Sequence, residues 1–171
     1  MKRDALNILF GVATTVAALQ AQNRFSEEAK AAYQPIKLNL LKAAEKMPDS
    51  EYPFKPTTDV RTFGQLIAHV AEAQTAICGV VKGIPFKRDD SPSKTAKADL
   101  IAALKASNEF CDGVYNAMTD QDGAEIVKTP FGPKPKLGVL NFNVAHDSET
   151  YGTIAVYLRL KGIVPPSSEG N

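Results

Sequence analysis

Four stretches of this chain repeat their apolar residues every three to four positions, and the breaks between them are dense in proline and glycine. A period of 3.6 lines one face of a helix, whereas a strand needs a period of 2. The first stretch, about residues 26–47, aligns Tyr33, Ile36, Leu40, Ala43 and Met47. Ser26 is placed to cap it, and Glu27 and Glu28 suit the positive start of a helix. Pro35 either kinks this helix or marks where its regular part begins. The second opens on a capping box, Thr62 with Gln65 three residues later. Phe63, Leu66, Val70, Ile77 and Val81 form its stripe, and Gly83 followed by Pro85 ends it. The third, about residues 95–118, faces inward with Leu100, Leu104, Cys111, Tyr115 and Met118. The fourth, about residues 137–161, does so with Leu140, Val144, Tyr151, Ile154 and Leu158, and stops at Gly162 and Pro165-Pro166.

No run of strand alternation stands out, so the fold class is all-α, a four-helix bundle. The connections at 48–61, 83–94 and 119–136 are long enough for crossovers in place of simple up-and-down topology. In the first of them, Tyr52 and Phe54 are expected to fold back onto the edge of the core.

Residues 1–21 stand apart from this pattern. Lys2 and Arg3 make a basic start, residues 5–19 are mostly apolar, and Leu19-Gln20-Ala21 offers a small residue for cleavage before Gln22. This is the layout of a secretory signal peptide, too short and too polar at its centre for a comfortable membrane span. The expected organisation is a leader at 1–21 and one domain at 22–171, exported to the periplasm or beyond, with no stable membrane insertion after cleavage. Cleavage takes Lys2, Arg3 and Asp4 from the chain's 20 basic and 19 acidic side chains, leaving 18 of each. That balance argues against nucleic acid as a partner, since gripping phosphates calls for a basic excess.

Export permits a disulfide between the two cysteines, Cys78 and Cys111. Both fall on or near core stripes of separate helices, and the sequence leaves a bridge and two buried thiols equally open. If formed, the bridge would stabilise the fold by roughly 3–4 kcal/mol. Neither a CxxC redox pair nor a CxxCH haem site is present, and neither haem nor nucleotide is expected.

The chemistry rests on the two histidines, His69 and His146. Each lies on the shoulder of its helix, beside the apolar stripe. Thr150 stands one turn beyond His146. A site between the second and fourth helices would gather His69, His146, Thr150 and Asn143, with Asp147 and Tyr151 nearer the inward stripe. Neutral imidazole is a good ligand for Zn, Ni or Fe, while a catalytic site needs about three protein ligands and an open position. Glu72 and Glu149, each three residues from a histidine, would substitute for a missing ligand or simply stay solvated. Asp147 would ligate or orient a neighbour. Gly152 would allow close helix approach, and Arg159 would pair with an acid or anchor the C-terminus.

From Pro35 onward the chain resembles the DinB-like family of four-helix proteins. The matching words are Leu40-Leu41-Lys42-Ala43-Ala44-Glu45-Lys46-Met47-Pro48, Tyr52-Pro53-Phe54-Lys55-Pro56 and Arg61-Thr62-Phe63-Gly64-Gln65-Leu66-Ile67-Ala68-His69-Val70-Ala71. Toward the end come Asn143-Val144-Ala145-His146-Asp147, Tyr151-Gly152 and Tyr157-Leu158-Arg159-Leu160-Lys161-Gly162-Ile163-Val164-Pro165-Pro166. The resemblance implies a crossover bundle with a divalent metal (Zn, Ni, Mn or Fe) held by one histidine of the second helix and an H-x3-H pair of the last. His69 and His146 match two of these ligands, and Thr150 occupies the third position. It also implies hydrolase or thiol S-transferase chemistry and a homodimer. Loss of the third imidazole weakens that implication, and the alternative is a non-catalytic bundle that binds a small molecule or serves a structural role without metal.

Overall fold

The computed structural model describes residues 23–87 and 95–170, so the leader at 1–21 lies outside the described residues. Four long helices carry the fold: α1 (Arg24–Lys46), α2 (Phe63–Val81), α3 (Lys97–Ala117) and, after a short helix α4 (Asp120–Gly123) and two strands, α5 (Lys136–Leu160). Helices α1 and α2 each pack against both α3 and α5, so the consecutive α1 and α2 stand diagonally across the bundle. The α1–α2 connection is therefore a crossover. It runs through a 3-10 turn at Asp49–Glu51, after which Tyr52 folds inward and donates its hydroxyl to Ala44 O at 2.8 Å. Phe54 packs edge-on against Tyr157, with ring centroids 5.8 Å apart. A Cβ on Gly64 would sit 3.3 Å from Tyr52 atoms, so a side chain there would push the crossover outward by a few tenths of an ångström. By contrast, Gly152 is exposed and has open space around it, so the expected close approach does not occur there.

The helix ends differ in how they are satisfied. Thr62 and Gln65 form the reciprocal capping box, with bonds of 3.2 and 2.8 Å. Helix α1 starts two residues before Ser26 and runs without interruption through Pro35. Its orphan donors go to Asp120, whose Oδ1 and Oδ2 accept from Ser26 N (2.7 Å) and Phe25 N (3.1 Å). The cap thus comes from some 95 residues away in sequence, where local pattern cannot announce it. At the other end, Lys97 Nζ donates to Glu45 O and Met47 O, covering the last carbonyls of α1.

Partial desolvation pushes the Asp120 carboxyl up, but the N–H donors of Ser26 and Phe25 outweigh it and hold the group below its ordinary value. A depressed carboxyl contributes stability above its unfolded value and loses it as pH falls through the folded one. Asp120→Ala is therefore expected to lower Tm at pH 7, with the gap to wild type closing as the pH drops below the carboxylate range. Thermal melts across that range check this, and a gap of constant size would remove the charge from the account.

The connection at 119–136, where no strand alternation stands out in the sequence, nevertheless holds a hairpin. After α4, strands β1 (Ile126–Thr129) and β2 (Gly132–Pro135) pair antiparallel, Ile126 with Pro135 and Thr129 with Gly132. Three prolines and strands of four residues hide this hairpin from any test of alternation. Prolines are tolerated because each strand has a partner on one side only. A Cβ on Gly123 would come within 2.4 Å of Leu137, so this glycine lets the base of the hairpin seat directly on α5. No helix among the described residues is long and apolar enough to cross a membrane.

Candidate functional site

Helices α2 and α5 lie side by side, and this places His69 against His146. Their Nε2 atoms are 3.0 Å apart, and the rings meet at 64° with centroids 4.9 Å apart. His146 is backed by Asp147, whose Oδ1 lies 3.4 Å from Nδ1. With the Nδ1 proton turned toward that carboxyl, the Nε2 lone pair faces His69.

Asp147 itself is fully buried, and its Oδ2 accepts from Gln74 Nε2 at 2.7 Å and Asn143 Nδ2 at 3.3 Å. Gln74 in turn accepts from Ser107 Oγ at 2.7 Å. Asn143 also reaches Tyr115, whose hydroxyl donates to Leu140 O at 2.9 Å. Burial pushes the Tyr115 phenol up, so it remains a neutral donor at physiological pH. Tyr33 stacks on this ring, with centroids 4.3 Å apart and planes 7° from parallel. A polar chain thus crosses the bundle from α3 through α2 to α5, and its members fix one another's rotamers behind His146.

Two imidazole nitrogens bound to one ion at about 2.0–2.1 Å stand about 2.9–3.3 Å apart for angles between octahedral and tetrahedral. The observed separation falls in that span, and it equally suits a direct hydrogen bond between the rings. Thr150 turns its hydroxyl back to His146 O at 3.0 Å. Glu149 and Glu72 are exposed. Among the described residues, no three His, Cys, Asp or Glu side chains are grouped to hold an ion. The two imidazoles are the donors that meet here, and the Glu72 carboxylate lines the same cavity.

Asn143 and Asp147 lie beneath the histidines, within the polar chain. Tyr151 points elsewhere: its hydroxyl accepts from Ser167 N at 2.9 Å and bonds Ser167 Oγ at 3.0 Å. Together with Arg159, which donates to Ser168 Oγ at 3.1 Å, it ties down the C-terminal segment. Cys78 and Cys111 form a disulfide between α2 and α3, with Cα atoms 5.5 Å apart, and play no part in the donor set.

The mouth of the site is built from residues that periodicity did not single out. A cavity of about 210 Å³ opens at the histidines and is also walled by Glu72, Ala73, Phe86, Phe131 and Phe142. A second, of about 190 Å³, shares Ile77, Phe86, Phe131 and Phe142 with it and continues past Val80 and Val139 toward the hairpin. Phe142 carried one local signal, an aromatic one turn before His146. Gln74 carried another, an amide on the inward stripe between Val70 and Ile77.

A family model described as the DinB superfamily matches residues 38–154, a span that includes both histidines and the crossover. The chain belongs to the DinB superfamily. Solved DinB-like proteins superpose well on this DinB domain. One from Bacillus cereus gives a TM-score of 0.71 at 21% identity, covering 82% of this chain and 95% of the other. One from Bacillus subtilis gives 0.67 at 16% identity, covering 79% and 92%. A mutant of the mycothiol-dependent maleylpyruvate isomerase gives 0.65 at 16% identity, covering 75% of this chain and 60% of that one. At these identities the likeness establishes the fold. No match was found among curated proteins.

Proposed function

We propose that this DinB domain is exported and holds a divalent transition metal between His69 and His146, as a binding site for a small ligand. The observation that carries the reading is the 3.0 Å approach of the two Nε2 atoms in a half-buried pocket. Asp147 supports it by directing the Nε2 lone pair of His146 toward the shared position. Neutral imidazoles suit Zn, Ni and Fe better than Mn. A bound ion supplies Lewis acidity at its open positions.

With Thr150 bonded to its own helix, the protein fills two positions and leaves the others to water or ligand. This favours binding over the hydrolase or S-transferase turnover expected of a full ligand set. Export is supported by the leader pattern of residues 1–21 and by the Cys78–Cys111 disulfide, which persists in oxidising compartments.

Two imidazole ligands account for a zinc Kd of about 1–100 μM, taking roughly a quarter of the free energy of a four-ligand site for each. Calorimetric titration of the chelator-treated mature chain is expected to give one such site. His69→Ala and His146→Ala are each expected to weaken it by about a hundredfold. A folded wild-type protein that takes up no zinc, nickel or iron in this range defeats the metal reading.

A further inference from the structure

The cleft beside the histidines is more specific than a metal site requires. Three phenylalanines converge on it from three parts of the chain: Phe86 after α2, Phe131 at the hairpin turn and Phe142 on α5. They remain 45%, 75% and 48% exposed, although solvating large rings at one place is unfavourable. Phe131 lies 6.1 Å from Phe142, and Phe142 lies 6.3 Å from His146, so aromatic rings lead from the hairpin to the imidazole pair. The lobe away from the histidines is almost wholly apolar, with Ile77, Val80 and Val139 as its floor, and measures about 190 Å³. An apolar cavity of about 150 Å³ accommodates a benzene ring. The lobe at the histidines is similar in size and shares a wall with the first.

The two lobes differ in their polar groups. The inner lobe offers the imidazoles, and neutral imidazoles leave the positive charge of a shared ion uncancelled. Lys87 and Glu72 both line the histidine lobe, where their charges offset one another, and Lys134 lines the apolar lobe. With those two offset, the charge of the ion decides, and it favours an anionic head group over an amine.

The geometry points to a small aryl or short-chain carboxylate as the ligand, with its carboxylate at the histidine pair and its apolar body between Phe86, Phe131 and Phe142. The inference rests on the metal reading and adds to it the class of ligand. The hairpin is then a specificity element that presents Phe131 over the apolar lobe.

The test is calorimetry on the zinc-loaded mature chain with acetate, 3-phenylpropionate and 3-phenylpropionamide, with metal content read in the same samples. 3-Phenylpropionate is expected to bind about tenfold or more tightly than either of the others, because it alone presents both charge and ring. Phe131→Ala, at an exposed hairpin turn, is expected to remove most of that advantage while leaving zinc stoichiometry unchanged. Equal affinities for acetate and 3-phenylpropionate in zinc-loaded protein overturn the apolar subsite and leave the metal reading intact. If no zinc is retained, the metal reading fails by itself. Perturbation of the Phe131 and Phe142 ring signals by 3-phenylpropionate, and not by the amide, then upholds the subsite on bare imidazoles, and equal perturbation overturns it.

Discussion

Thr150→His is expected to tighten divalent-metal binding by about a hundredfold or more. Position 150 lies four residues after His146 on the same face of α5, one turn along the helix from one of the two proposed ligands. Its hydroxyl donates to His146 O, and a neutral hydroxyl is a much poorer ligand than an imidazole for zinc or nickel. A third imidazole contributes about 2.5–4 kcal/mol if ligands share the free energy of a zinc site evenly. There is an opposing effect: Thr150 is 8% exposed, and a larger side chain strains its neighbours by about 1–3 kcal/mol in the metal-free protein. The variant should therefore melt below wild type without metal and above it with saturating zinc. Chelator competition gives the affinity, and paired melts give the crossing. A folded Thr150→His protein with unchanged zinc affinity would mean that position 150 does not face the histidine pair.

The long helices were legible because each buries a continuous stripe, and a stripe is a local property. Tyr33 and Leu40 on α1, Phe63 and Val70 on α2, Leu100 and Leu104 on α3 and Ile154 and Leu158 on α5 are all buried as their spacing requires. Thr62 with Gln65 announced a helix start because both partners lie within one turn. Asp120 did not announce the start of α1, because its partners are residues 25 and 26. Ser26 resembled a cap yet sits inside the helix, where its hydroxyl donates to Asn23 O.

The same distinction runs through the site. His69 and His146 could be placed on helix shoulders by angle alone, but their 3.0 Å approach depends on which helices are neighbours, and the crossover decides that. The buried polar chain joins Ser107, Gln74 and Asp147 from three helices, so no single segment displays it. Phe86 and Phe131 follow no helical stripe. They meet at the cleft only because a proline-rich hairpin folds back over α2 and α5.

Removing the disulfide should cost the protein much stability and the histidine site little. The bridge joins residues 33 apart, and constraint of the unfolded chain over that span corresponds to about 4 kcal/mol. For a domain of this size Cys78→Ala/Cys111→Ala should melt about 8–15 °C lower than wild type. Both half-cystines are fully buried, and Cys78 lies one turn beyond Gln74 on α2, close behind the polar chain that holds Asp147. Proximity alone would suggest that the site loosens with the bridge. The chain-entropy account says otherwise, because a crosslink that acts on the unfolded state leaves native geometry unchanged. The packing of α2 on α5 and the bond from Gln74 to Asp147 would persist in the folded variant. Zinc affinity at 15 °C, well below either transition, should then stay within about threefold of wild type. A loss of affinity as large as that of His69→Ala would show that the bridge holds α2 in register with α5, and that its stabilisation lies in native contacts in place of the denatured chain.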